Sequence, residues 1–434
     1  MEQYRDYLAP ILARLAEIDG KSQLSVFTNT VDASHPQVQT WLKQGVWLDV
    51  HTVTHPCPLL RSGFDAAVAE VADCIDNLSR IPNNQPIAYR MPCCDSINSA
   101  SPRFFSEILL QKTSEGGFLR ADSSILMFPD ASYAAFAPFE NYATTSTGYP
   151  YPYVINDLVW EFPIICPTDW QGKTRYADYS PKMIAALKRG LDQVIAAQGA
   201  YTFCFHPHGW IKNSQVVEMI DHVVEGYGST VRFIHFEEAL RRMEKHLLGG
   251  LSLRNTSGGD AGIRLVDVNH DGYLDVIVAN ETRKETRIWK PESRVWEIRD
   301  FPFTIVSSNR HGQRVSTGVR FGVFQKNGFA SALVANSRER ALAHFGPDGW
   351  KLDDKVDLAK LESAGLPVLT ARDGEDRGTR LRDVDGDGFT DVIVNNEAQN
   401  AIFRWNDSQH RFDLFPFALP RFRCVVDEIG RDHG

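Results

Sequence analysis

The stretch GVWLDVHTVTHP, residues 45–56, carries the reading on which the fold of the first half turns. Two histidines four apart, His51 and His55, could share one face of a helix, as in zinc proteases. Three β-branched residues stand between them and Pro56 follows, and both features disfavour a helix. The alternative is that His51 ends a strand over residues 45–50 and the chain then turns. That brings both imidazoles to the carboxyl edge of a sheet, where α/β barrels gather their active sites. The pair then reads either as two nitrogen ligands of a zinc-like ion, which need at least one more donor, or as ordinary hydrogen-bonded histidines.

Outward from this stretch the chain alternates strands and helices. Strands are expected over 25–31 and 201–205, and again over 231–236. Helices are expected over 64–80, over 214–226, and from Ser180 as N-cap with Pro181 in the first turn up to Gly199. This order implies a mostly parallel sheet with helices outside it, as a barrel or an open sheet. Three more polar groups fall at the carboxyl ends of apolar segments: Arg90 in R-M-P, Asp169 in D-W, and His206 in H-P-H with His208. Each has a bland reading as a surface arginine, a turn aspartate or a structural histidine; in this order they can also line one mouth.

The run H-T-x-x-H, R-x-P, D-W and a late strand-end histidine resembles the polysaccharide deacetylase (NodB-homology) family over residues 1–248. The resemblance implies a distorted (β/α) barrel, a zinc or similar divalent ion, and hydrolysis of N- or O-acetyl groups on a polysaccharide. It implies that His51 and His55 bind the metal and that Thr52 stabilises their loop. Arg90 would orient a catalytic base, Asp169 would tune His206, Trp170 would wall the acetyl pocket, and His206 would protonate the leaving group. It also implies an earlier strand ending in paired aspartates. No Asp-Asp pair precedes His51, and Asp32 follows the second expected strand, so that first strand is expected to lie upstream of residue 1. The alternatives are a glycan-binding protein without hydrolysis, or an amide hydrolase acting on a small metabolite, which the His206–His208 pairing also suits.

Beyond residue 248 the periodicity changes. GIRLVD (262–267), GVRFGV (318–323) and GTRLRD (378–383) are copies of one repeat, and Gly434 stands where a fourth would open. The first and third run into D-x-[DN]-x-D-G-x-x-D loops: Asp267, Asn269, Asp271, Tyr273 and Asp275, then Asp383, Asp385, Asp387, Phe389 and Asp391. Oxygens at positions 1, 3, 5 and 9, a carbonyl at 7 and a glycine at 6 suit calcium. Valine stands at position 12, so the loops lead into strands rather than the helix of an EF-hand. The middle copy keeps Gly328 but loses the acids. Residues 249–434 resemble FG-GAP or VCBS propeller blades, which implies an all-β, calcium-stapled, incomplete propeller of three blades with scaffold or targeting duty, and a surface open to a protein partner.

Composition sets the outer bounds. With 43% apolar and 23% charged residues over 434 positions, two soluble globular domains are expected. A net charge of −9 argues against a nucleic-acid partner. No apolar run reaches membrane-spanning length, and residues 1–20 read as an amphipathic helix, not a signal peptide. An extracytoplasmic location follows only from the family resemblance. Seven cysteines without a C-x-x-C pair exclude a zinc ribbon, and Cys57, Cys93 and Cys94 are expected as small buried hydrophobes.

Overall fold

The computed structural model describes all residues except 1, 97–100, 137–144, 208, 310, 418, 420–423, 428–429 and 433–434. It forms two compact units, Met1–His246 and Leu247–Gly434.

The first unit is mixed α/β. Strands β1 (Leu24–Thr28), β2 (Val46–Val50), β3 (Ala88–Tyr89), β4 (Ala121–Asp122), β5 (Leu126–Phe128), β6 (Thr145–Thr147), β7 (Tyr153–Ile155), β8 (Val159–Glu161) and β9 (Ile164–Ile165) follow in chain order. They make a six-stranded sheet in the order β1-β2-β3-β4-β8-β7, parallel except for β7, and a parallel three-stranded sheet β6-β5-β9. Val50 is level with Tyr89, Tyr89 with Asp122, and Asp122 with Glu161, so the carboxyl ends of four strands share one rim. The helices Glu2–Asp19, Phe64–Ser79, Pro181–Ala196 and Asn213–Tyr227 bury apolar stripes against this framework: Ile11 and Leu15 from the first, Val71 and Leu78 from the second, Leu187 from the third, Met219 from the fourth. The third is punctuated as its sequence demands, with the Ser180 side chain accepting from the Lys182 N–H and Pro181 in the first turn.

Two expected strands do not form ladders. Residues 201–205 make a single bridge, Thr202 to Ile164, and 231–235 make none, with Phe236 opening the helix Phe236–His246. The residue that follows each segment bonds to a side chain: the His206 N–H donates to Asp169 and the Phe236 N–H to Ser25 Oγ. Among the described residues, therefore, no closed barrel is formed, and the first unit is two sheets walled by helices.

The second unit is antiparallel. Three four-stranded meanders span Ile263–Asp300, Arg320–Leu352 and Thr379–Leu414, each made from consecutive strands. The first two share a core containing Ile277, Ile288, Phe303, Val334 and Phe345. The second and third share one containing Phe324, Leu342, Val392, Phe403 and Trp405. Neighbouring meanders thus pack face to face; no ring closure is present among the described residues.

Candidate functional site

The HTVTH loop leaves β2 at the rim. His51 Nδ1–H donates to the Arg90 carbonyl at 2.7 Å, which leaves Nε2 as the nitrogen with a lone pair. The His55 ring lies 4.8 Å from that of His51, edge to face. The turn is unusual, because Thr52 and His55 both have positive φ, 66° and 60°. What holds it is local: the Thr52 hydroxyl donates to the His51 carbonyl and accepts the His55 N–H at 3.1 Å. Glu70, on the helix Phe64–Ser79, accepts the Val53 and Thr54 N–H groups at 2.9 and 2.8 Å. The Asn29 amide donates to the His51 carbonyl at 2.8 Å.

Burial pushes the His51 imidazole down to about 3, and the nearby His55, Arg90 and His206 push the same way. His51 is therefore neutral at physiological pH, the form that donates a lone pair. Two imidazoles so placed fit as nitrogen donors. Among the described residues, however, no third histidine, cysteine or carboxylate joins them with all ligand atoms within 4.8 Å of one another. Two protein donors fall short of the three found in catalytic zinc sites.

Arg90 is anchored at the rim. Its Nε donates to the Ser123 carbonyl at 2.9 Å, its Nη2 to Ser123 Oγ at 2.8 Å, and its guanidinium lies 4.3 Å over the Phe27 ring. It is thus fixed by a hydroxyl, a carbonyl and a ring. Asp32 is exposed and caps its own turn through Ser34.

Asp169 is not a strand end but the first residue of the helix Asp169–Tyr176, which Thr168 caps. Fully buried, it accepts the His206 N–H at 2.6 Å on one oxygen and His206 Nδ1–H at 2.8 Å on the other. The ring is thereby locked with Nε2 directed away from the carboxylate, and its side chain is 34% exposed. This is the geometry of a proton donor or acceptor held by a buried partner. Trp170 is half-buried in the same turn; Trp210, which the sequence did not single out, packs on the His206 ring at 4.8 Å. His208 lies outside the described residues.

Sequence reasoning also missed two features of this rim. Cys57 and Cys93 form a disulfide, contrary to their expected role as small hydrophobes, and it ties the loop after His55 to the loop after Arg90. Cys94 remains free. Beneath the rim, Asp49, Asp122 and Glu161 are fully buried. Burial raises all three, Asp49 to about 6 and Glu161 well above the usual carboxylate range, where the adjacent Asp122 adds to it. The one signal in the sequence was Asp49, a carboxylate inside the otherwise apolar strand Val46–Val50.

No protein-family model matches the sequence, and no curated protein does. One solved structure does show a likeness. It is a crystal structure described as a "putative polysaccharide deacetylase" from Mycobacterium smegmatis, with 17% identity and a TM-score of 0.37 over 57% of this chain and 81% of that chain. At that score the likeness carries no argument about chemistry.

In the second unit the acidic loops fold as turns closed by their own carboxylates. Asp267 accepts the Asp271 and Gly272 N–H groups, and Asp383 accepts those of Gly386 and Gly388. Asp271 and Asp387 accept the N–H of Tyr273 and Phe389; Asn269 donates to Asp271. The ninth-position acids are anchors: buried Asp275 bonds Val268 and Trp289 N–H, and Asp391 bonds Val384 and Trp405 N–H. In the second loop Asp383, Asp385 and Asp391 bring carboxylate oxygens within 4.8 Å of one another, with Arg404 on Asp385 at 2.9 Å.

Proposed function

We propose that the first unit is a hydrolase that removes acetyl groups from a polysaccharide, and that the second is a calcium-stapled, propeller-like module that scaffolds or targets it. The observation that carries the reading is the buried Asp169 holding His206 by two hydrogen bonds. In that arrangement water adds to the acetyl carbonyl, and the bond from the acyl carbon to the sugar nitrogen or oxygen breaks. The protonated His206 gives its proton to the departing atom, releasing acetate. Asp169 stabilises the charged ring and keeps it aimed. A divalent ion held in part by His51 and His55 would polarise the acetyl carbonyl when bound. The resemblance of the H-T-x-x-H, R-x-P and D-W run to deacetylases supports the substrate class, and the Cys57–Cys93 disulfide suits an extracytoplasmic setting.

The test is acetate release from acetylated glycans with zinc, comparing the full chain with His206→Ala and His51→Ala, alongside metal content per chain. Release that vanishes with His206→Ala, and zinc that is lost with His51→Ala, supports the reading. Equal release from all three proteins refutes it. Glycan binding without any acetate release would favour the non-hydrolytic alternative.

A further inference from the structure

Residues 145–155, TSTGYPYPYVI, contain no charged side chain. Tyr149 and Tyr151 stand 44% and 38% exposed, large apolar surface to leave in water. They are ordered rather than loose. The Tyr149 ring lies 5.2 Å from that of Tyr151 and 6.3 Å from that of Tyr153, edge to face in both pairs. Tyr151 Oη donates to the Ala197 carbonyl at 2.6 Å, and the Pro150 carbonyl accepts the Ala200 N–H at 2.8 Å. Pro150 and Pro152 fix φ on either side of Tyr151. The three rings are therefore held in place before anything binds, so little ordering entropy opposes a ligand.

Their position is informative. Tyr153 opens β7, which runs antiparallel to β8, and it pairs with Glu161, the last residue of β8. The segment before it continues past the carboxyl rim on which His51 and Arg90 stand. From β2 to β7 is four strand spacings, roughly 19 Å along the sheet edge. A tyrosine ring offers a flat apolar face with a hydroxyl at its tip, which matches a pyranose with its C–H face and hydroxyl edge. The lack of charge in the segment and the net charge of −9 disfavour a polyanion. Pro150 and Pro152, just before the edge strand β7, disfavour extending it by pairing with a second copy through the backbone.

We propose that Tyr149, Tyr151 and Tyr153 form a platform that holds an uncharged polysaccharide on this rim, so that the substrate is a polymer and not an acetylated monomer. The proposal rests on the hydrolase reading for its consequence in catalysis but not for binding itself. The experiment is affinity electrophoresis of the full chain through gels cast with acetylated xylan, acetylated glucomannan or glycol chitin, with alginate as the polyanion control. The wild type is expected to be slowed by at least one neutral polymer and not by alginate. Tyr149→Ala/Tyr151→Ala should bind about tenfold more weakly, Tyr149→Phe should bind as the wild type, and acetate release from a small acetyl ester should be unchanged by the double variant. Binding that survives His206→Ala while the wild type releases no acetate keeps the platform and sinks the hydrolase. No retardation of the wild type, equal retardation of the double variant, or a wild-type dimer that the double variant dissolves would each overturn the platform.

Discussion

Replacing Cys57 and Cys93 by serine should loosen the first unit and leave the second alone. The disulfide joins residues 36 apart, and closing a loop of that length removes about 4 kcal/mol worth of entropy from the unfolded chain. Its loss also frees the loop after His55 from the loop after Arg90, so the rim should soften before the helices do. With a urea dependence of about 3 kcal/mol per molar, the midpoint of the first unit should fall by about 1 M. Equilibrium urea unfolding of the full chain reports this, provided the two transitions are told apart. Calcium added back to metal-free protein serves that purpose, because only the unit with the acidic loops should respond to it. Dithiothreitol on the wild type should reproduce the variant. A midpoint shift under about 0.3 M, or a shift in the calcium-sensitive transition instead, would refute the assignment of this disulfide as the staple of the rim.

Asp169→Asn keeps the shape but offers His206 one acceptor where it had two, and no charge; acetate release should drop by about 10²- to 10⁴-fold in kcat with KM little changed. Arg404 holds Asp385 at 2.9 Å and is about half exposed, so Arg404→Ala should tighten calcium binding at the second loop only about two- to fivefold, read by calorimetric titration. Burial and the neighbouring Asp122 raise Glu161 well above its unfolded range, so the folded state binds the extra proton and stability falls as pH climbs past the unfolded value. Glu161→Gln removes that penalty. Its melting temperature should exceed the wild type's by about 2–4 °C at pH 8 and match it at pH 4; a deficit at pH 8 would contradict the raised Glu161.

Periodicity and punctuation made much of the fold legible. Ser180-Pro181 opened its helix where expected, and the β-branched run between His51 and His55 ruled out a helical motif as the structure has it. What stayed hidden was decided by tertiary partners. Residues 201–205 and 231–235 have strand composition, yet the N–H groups just after them, of His206 and Phe236, go to Asp169 and Ser25, and no sequence window contains both members of either pair. Spacing cannot pair Cys57 with Cys93, since two cysteines 36 apart meet only if two loops meet. Arg90 shows the same limit: its motif was visible, but Ser123, which fixes it, lies a further strand away. Trp210 escaped because nothing local distinguishes a ring that packs on histidine from one in a core.

The repeats of the second unit were readable for a different reason: each copy satisfies itself locally and then grips the next. Two residues before the repeat glycine, Asp260 accepts the Gly262 N–H and Asp376 accepts the Gly378 N–H. Two residues after it, Arg264 returns to Asp260 and Arg380 to Asp376. In the second and third copies the arginine at this position reaches forward: Arg320 to Asp376 at 3.0 Å, and Arg380 to Asp432 at 2.6 Å. Asp432 stands two residues before Gly434, so the residue that the repeat spacing assigns to a fourth opening is bonded by the third meander just as Asp376 is bonded by the second. At the one position where the chain has Ser316 instead, its hydroxyl still accepts the Gly318 N–H at 3.2 Å, but it carries no charge to meet Arg264. Between the first and second meanders this position offers no carboxylate, where Asp376 and Asp432 supply one at the equivalent positions. Ser316→Asp should strengthen that junction, and an unchanged melting temperature in saturating calcium would mean that shared apolar cores, not this chain of charges, set how the meanders hold together.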